Sequence, residues 1–151
     1  MEFEGLDEDA LEALAAKVAC CLEPGDVVVL GGEVGSGKTT FVRAAARSLG
    51  VEERVTSPTY QIARGYDVVA AGERRARVNH LDLYRLEALE ERDALELDDY
   101  LDPETITFVE WASKEALGLI VDPTFVLISH QTPTTRRVSL RGPAAVRMPR
   151  C

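Results

Sequence analysis

The chain has 151 residues, 46% apolar, 28% charged and 6% aromatic, a globular balance at a length that suits one domain. With 17 basic against 26 acidic residues the net charge is −9, which excludes a broad electrostatic grip on DNA, RNA or an anionic membrane. Phosphate, if bound, must be held locally by backbone amides and a few placed cations, and any nucleic-acid work falls to a basic partner. Three cysteines, Cys20, Cys21 and Cys151, are odd in number and lack C-x-x-C spacing. They argue against a disulfide framework and a zinc site, and they agree with a reducing compartment. No apolar run approaches the ~20 residues of a membrane span, and the acidic start lacks the pattern of a signal peptide. The expected location is the cytoplasm.

Residues 7–23 read as an amphipathic helix, with Asp7 as N-cap and Leu11, Leu14, Ala15, Val18 and Leu22 on one face. Pro24-Gly25-Asp26 breaks it. Residues 27–30 are apolar and β-branched, as in a buried central strand of a parallel sheet. A glycine-rich loop follows to Gly37. A helix over about 38–49 has Phe41, Val42, Ala45 and Leu49 inward, and Gly50 stops it. Residues 60–69 and 75–83 are strand-like, and 86–101 reads as an acidic, exposed helix. Residues 106–110 form another apolar strand, 112–119 a short helix, and 125–129 with 137–140 two closing strands in a hairpin. The domain is expected to span 1–142, with 143–151 a loose tail.

Gly32-Glu33-Val34-Gly35-Ser36-Gly37-Lys38-Thr39 matches G-x-x-x-x-G-K-[ST]. The glycines let the backbone curl so that successive N–H groups converge on phosphate oxygens. Lys38 adds a mobile cation for the β- and γ-phosphates, Thr39 a hydroxyl for Mg²⁺, and the following helix its positive dipole end. A strand before the motif and a helix after it are the context the motif requires. A metal-side carboxylate is also needed. Two strand-like runs end in one: residues 106–110 in Glu110, and residues 78–83 near Asp82. The competing reading of either acid is a solvated strand end. The Asn-Lys-x-Asp element of guanine-specific proteins is absent, since the only asparagine, Asn79, precedes His80. ATP is therefore favoured over GTP.

Four further elements carry a family resemblance. Ser57-Pro58-Thr59-Tyr60 matches S-P-T-[FY], residues 80–86 match H-x-D-L-Y-R-L, Asp99-Tyr100 stands where an acidic-Tyr pair is found, and Val109-Glu110-Trp111 matches apolar-E-W. In this order and spacing, over about residues 7–140, the chain resembles the TsaE (YjeE) family of small bacterial ATPases of tRNA threonylcarbamoyladenosine synthesis. The resemblance implies an α/β fold: a three-layer P-loop NTPase domain with a mainly parallel central sheet and antiparallel C-terminal strands. It also implies site roles. Glu33, Gly35, Ser36 and Gly37 form the phosphate loop with Lys38 and Thr39, and Thr40 closes it. Glu110 is the metal-side acid and Asp82 a second metal-side or water-positioning acid. Ser57 and Thr59 form a loop that senses the γ-phosphate, and Trp111 borders the nucleotide or holds Glu110.

Ordinary core packing is the competing reading of Trp111, and a plain turn that of Ser57-Pro58-Thr59. His80 is read first as structural, with contact to substrate or partner as the alternative. Arg136 and Arg137 are read first as a solvated pair, with reach to the nucleotide as the alternative. Departures from the family pattern are small: Glu33 where Asp is frequent, and Val34 and Ser36 where Leu and Ala are common.

The implied function is ATP hydrolysis, with Mg²⁺, in support of threonylcarbamoyladenosine formation beside the anticodon of ANN-decoding tRNAs. The implied partners are TsaB and TsaD homologues, with tRNA met only through that complex and neither DNA nor membrane involved. Two rival readings are a stand-alone small-molecule kinase and a nucleotide-gated docking module. The kinase reading lacks an arginine-rich lid, since residues 74–77 hold the only dense basic cluster.

Overall fold

The computed structural model describes residues 1–56, 63–70, 73–83, 99–110 and 117–151. Its elements in chain order are β1 (Glu2–Leu6), α1 (Glu8–Ala19), β2 (Val27–Gly31), α2 (Lys38–Leu49), β3 (Ala63–Ala70), β4 (Glu73–Asp82), β5 (Thr105–Glu110), β6 (Thr124–Thr132), β7 (Thr135–Arg141) and α3 (Pro143–Arg147), followed by a 3₁₀ turn (Met148–Arg150). The strands form one seven-stranded sheet in the order β1-β7-β6-β2-β5-β4-β3. The four central strands β6, β2, β5 and β4 run parallel. Antiparallel strands flank them on both sides, β7 and β1 at one edge and β3 at the other. The architecture is thus mixed α/β, and the β6–β7 hairpin stands where the sequence places it.

Strand β2 shows why the centre is parallel and buried. Val27, Val28, Val29 and Leu30 are all buried, as both faces of a central strand must be. Val28 and Leu30 face the cluster built from Leu11, Val18, Phe41 and Val42 of α1 and α2. Val27 and Val29 face a second cluster with Leu81, Val109 and Ile120, against which Tyr100, Leu101 and Leu117 pack. Among the described residues, α1 and α2 are the long helices and they pack together on the first face. The expected helices over 86–101 and 112–119 fall almost wholly outside the described residues, and so does the third layer they would supply.

Helix α1 starts as its sequence dictates, with the Asp7 carboxylate accepting from Ala10 N at 2.8 Å. It ends at Ala19, four residues short of the expected 23, before the turn through Pro24 and Gly25. Gly50 caps α2 with φ 103°, a left-handed conformation that suits glycine.

One element was not expected, and two expectations need correction. Residues Glu2–Leu6 form an edge strand on β7, which the hydrophobic pattern does not announce. Gly5 at φ 65° inserts a register shift between Phe3 and Leu6, so the two inward-facing residues are three apart instead of two or four. The segment after Gly142 is not loose. Pro143 opens α3, a position where its missing N–H costs nothing, and Ala144 and Met148, four apart, are both buried. Finally, Cys21 and Cys151 form a disulfide, with Cα atoms 5.8 Å apart. Helix α3 brings the chain end back beside the turn after α1. There the Arg147 guanidinium donates to Cys21 O at 2.9 Å and to Asp26 Oδ1 at 3.2 Å.

Candidate functional site

The site lies at the carboxyl ends of β2, β5 and β4, where a parallel sheet presents its loops. Register places the parts. Leu30 of β2 stands beside Glu110 of β5, and Glu110 beside Asp82 of β4. The loop of residues 32–37 leaves β2 next to these acids and turns into α2, whose first turn no side chain caps. A helix start without a side-chain cap, entered by a glycine loop, leaves backbone N–H groups and the positive end of the helix dipole available to an anion.

Two glycines make the loop possible. Gly32 has φ 148°, and a Cβ there would meet Ile128 O at 2.3 Å. Gly37 has φ 112°, and a Cβ would meet Leu11 Cδ2 at 2.8 Å. Ser36 is buried, and its N–H donates to Glu33 O at 3.0 Å to close the turn. Lys38 is only 4% exposed, and its Nζ donates to Gly32 O at 2.7 Å and Glu33 O at 2.9 Å. Burial lowers the Lys38 pKa below its ordinary value, and the nearby Glu110 and Asp82 carboxylates pull it back up. A cation partly stripped of water, resting on neutral carbonyls, is one that a phosphate would engage more strongly.

Glu110 is 2% exposed. Its Oε1 accepts from Thr39 Oγ1 at 3.4 Å, and its Oε2 is hydrogen-bonded to His80 Nε2. Lys38, Thr39, Thr40, Asp82 and Glu110, with Gly35 and Gly37, line one cavity of about 350 Å³. A second cavity of about 350 Å³ shares Gly35, Gly37 and Thr40 with it and extends past Leu6, Leu11 and Pro133 to Arg136. Two larger clefts, one beside Asn79 and Tyr100 at the start of β5 and one beside Arg43 and Arg54, do not have the loop in their lining.

Of the residues singled out in the sequence, the structure gathers Gly35, Gly37, Lys38, Thr39, Thr40, Asp82 and Glu110 around one cavity. Glu33 contributes its carbonyl to Lys38, and Ser36 is a buried residue of the loop itself. Ser57, Thr59 and Trp111 lie outside the described residues. Two residues prove more engaged than their sequence context conveys. Arg136 reaches from the β6–β7 hairpin to Ser36 O at 2.9 Å and Gly35 O at 3.4 Å, bracing the loop. Its neighbour Arg137 instead pairs with Glu4 at the half-exposed surface. His80 is fully buried and touches Glu110.

The chain is a mixed α/β protein with a glycine-rich loop between its central strand and helix and two carboxylates on adjoining strand ends. Its family model is that of the threonylcarbamoyl adenosine biosynthesis protein TsaE, which matches residues 6–138, and the chain belongs to that family. The tRNA threonylcarbamoyladenosine biosynthesis protein TsaE of Streptomyces coelicolor is 38% identical over 113 residues, 74% of each chain. That of Bacillus subtilis is 34% identical over 112 residues, 74% of this chain and 66% of the relative. A crystal structure of Bacillus subtilis YdiB superposes with a TM-score of 0.74 at 22% identity, covering 99% of this chain and 94% of that one, a likeness of fold. No helix among the described residues is long and apolar enough to cross a membrane.

Proposed function

We propose that this protein is a cytoplasmic, Mg²⁺-dependent ATPase serving tRNA threonylcarbamoyladenosine biosynthesis, acting with homologues of TsaB and TsaD and meeting tRNA only through them. Family membership supports the pathway. The observation that carries the chemistry is the convergence of Lys38, Thr39, Asp82 and Glu110 on one cavity at the start of α2.

In this reading the triphosphate enters along the loop, and Lys38 leaves the Gly32 and Glu33 carbonyls for the charged phosphate oxygens. Loop amides and the helix dipole hold the leaving phosphates, as donors set in place before reaction do most effectively. A hydroxyl and two carboxylates are hard oxygen donors of the kind magnesium takes, so Thr39, Glu110 and Asp82 are the residues that would hold it. When bound, that ion supplies charge neutralisation across the phosphates. The adjoining cavity, with the apolar surface of Leu6, Leu11 and Pro133, suits the base and sugar. Among the described residues, Lys38 is the one cation lining the phosphate cavity, because Arg136 is spent on the loop carbonyls. A site short of positive charge is expected to turn over slowly until a partner completes it.

Product analysis tests the reaction class. Incubated with MgATP, the protein is expected to release ADP and inorganic phosphate in equal amounts, and Lys38→Ala neither. A phosphorylated small molecule appearing in place of free phosphate would overturn hydrolysis in favour of a kinase.

A further inference from the structure

We propose that His80 is a positioning residue: by donating its Nε2–H to Glu110 Oε2, it turns the other carboxylate oxygen towards Thr39 and the phosphate cavity. The inference rests on the ATPase reading above and concerns how that site is held in shape.

Glu110 ends β5, and the terminal torsion of a glutamate is broad, so packing alone does not fix where its two oxygens point. The structure divides them. Oε1 meets Thr39 Oγ1 at 3.4 Å, and Oε2 meets the imidazole. His80 stands opposite Phe108, and Asp82 opposite Glu110, so the ring lies one two-residue step behind Asp82 on the same face of the sheet. From there it reaches diagonally across the strand pair to the glutamate.

The ring is 0% exposed, and its Nδ1 has no hydrogen-bond partner among the described residues. The bond to Glu110 is therefore the one polar interaction found for a fully buried imidazole. An apolar ring would fill this volume without stranding a polar atom. A polar side chain here, aimed at a carboxylate that also faces the cavity, has orientation of that carboxylate as its physical consequence. Partners of this kind, behind the groups that face a substrate or metal, change affinity or activity by about 10–100-fold when removed.

Two substitutions separate positioning from bulk. His80→Phe keeps the ring volume and removes the donor. His80→Gln places an amide N–H near the position of Nε2. The expected result is a kcat for ATP lowered about 10–100-fold in His80→Phe, with KM changed by less than about 3-fold. His80→Gln is expected to regain most of that loss, with melting temperatures of the two variants alike. Equal impairment of both, or full activity of both, would overturn the proposal.

A readout independent of turnover is the imidazole N–H proton in the NMR spectrum of the ligand-free protein. It is expected far downfield and slow to exchange, absent from His80→Phe, and moved upfield in Glu110→Gln. Its absence from the wild type overturns the hydrogen bond whatever the kinetics show. A wild type with this proton but, with TsaB and TsaD homologues added, no more turnover than Lys38→Ala overturns the ATPase reading, and with it the role assigned to His80.

Discussion

Glu110→Gln is expected to lower the turnover of MgATP by roughly 10²–10³-fold, the scale of losing one placed electrostatic group from a reacting site. Glu110 is 2% exposed at the end of β5, between Thr39 and His80. Glutamine keeps its volume and one oxygen for the His80 donor, so the fold is expected to survive. What disappears is the negative charge beside Lys38 and Thr39, which in the proposed reading holds the metal. Lys38 and the loop remain, so nucleotide binding is expected to change far less than kcat. Steady-state kinetics at saturating Mg²⁺ check this. A kcat within about 3-fold of the wild type would remove Glu110 from the chemistry. If the same variant complements a deletion strain, hydrolysis is incidental and the docking-module reading moves forward.

The second large effect is on stability. Gly32→Ala is expected to cost about 2–6 kcal/mol, the sum of an unfavourable backbone conformation and overpacking. A Cβ would sit 2.3 Å from Ile128 O, which belongs to the β6 backbone and cannot swing aside, and 2.7 Å from Ser36 Oγ. Gly35→Ala, three residues along the same loop, is expected to cost about 1–2 kcal/mol. Its φ of 76° is also left-handed, but a Cβ there meets nothing within 4 Å. Against a total stability of about 5–15 kcal/mol, the difference is visible in a denaturant titration. Equal losses at the two positions would contradict the steric account of the loop.

What could be read from the sequence follows the range of the interactions involved. The strand, loop and helix over residues 27–49 were legible because glycine spacing, β-branching and helical periodicity are local signals. Asp82 and Glu110 were legible as strand-ending acids, whereas their side-by-side placement depends on a register between β4 and β5 that no local pattern encodes. The same holds for His80. A histidine two residues before an aspartate carries no sign of the glutamate it meets thirty residues later. Arg136 and Arg137 look alike in sequence, and only the approach of the β6–β7 hairpin to the loop separates a brace from a surface ion pair. Strand β1 was hidden by the register shift at Gly5. Helix α3 did carry a signal, Gly142-Pro143 followed by apolar residues at i and i+4, but five residues are too few for periodicity to stand out. The pairing of Cys21 with Cys151 then follows from α3, not from cysteine spacing.

The central claim is that an incomplete phosphate site on an acidic protein is finished by partners. The most direct measurement is ATP hydrolysis by the purified protein alone and with TsaB and TsaD homologues added, with Lys38→Ala as the blank. The account predicts little turnover alone and a rise of about 10-fold or more with the pair, as expected when a missing positive charge is supplied in trans. Equal turnover with and without the pair would contradict it and detach the chemistry of this site from the complex.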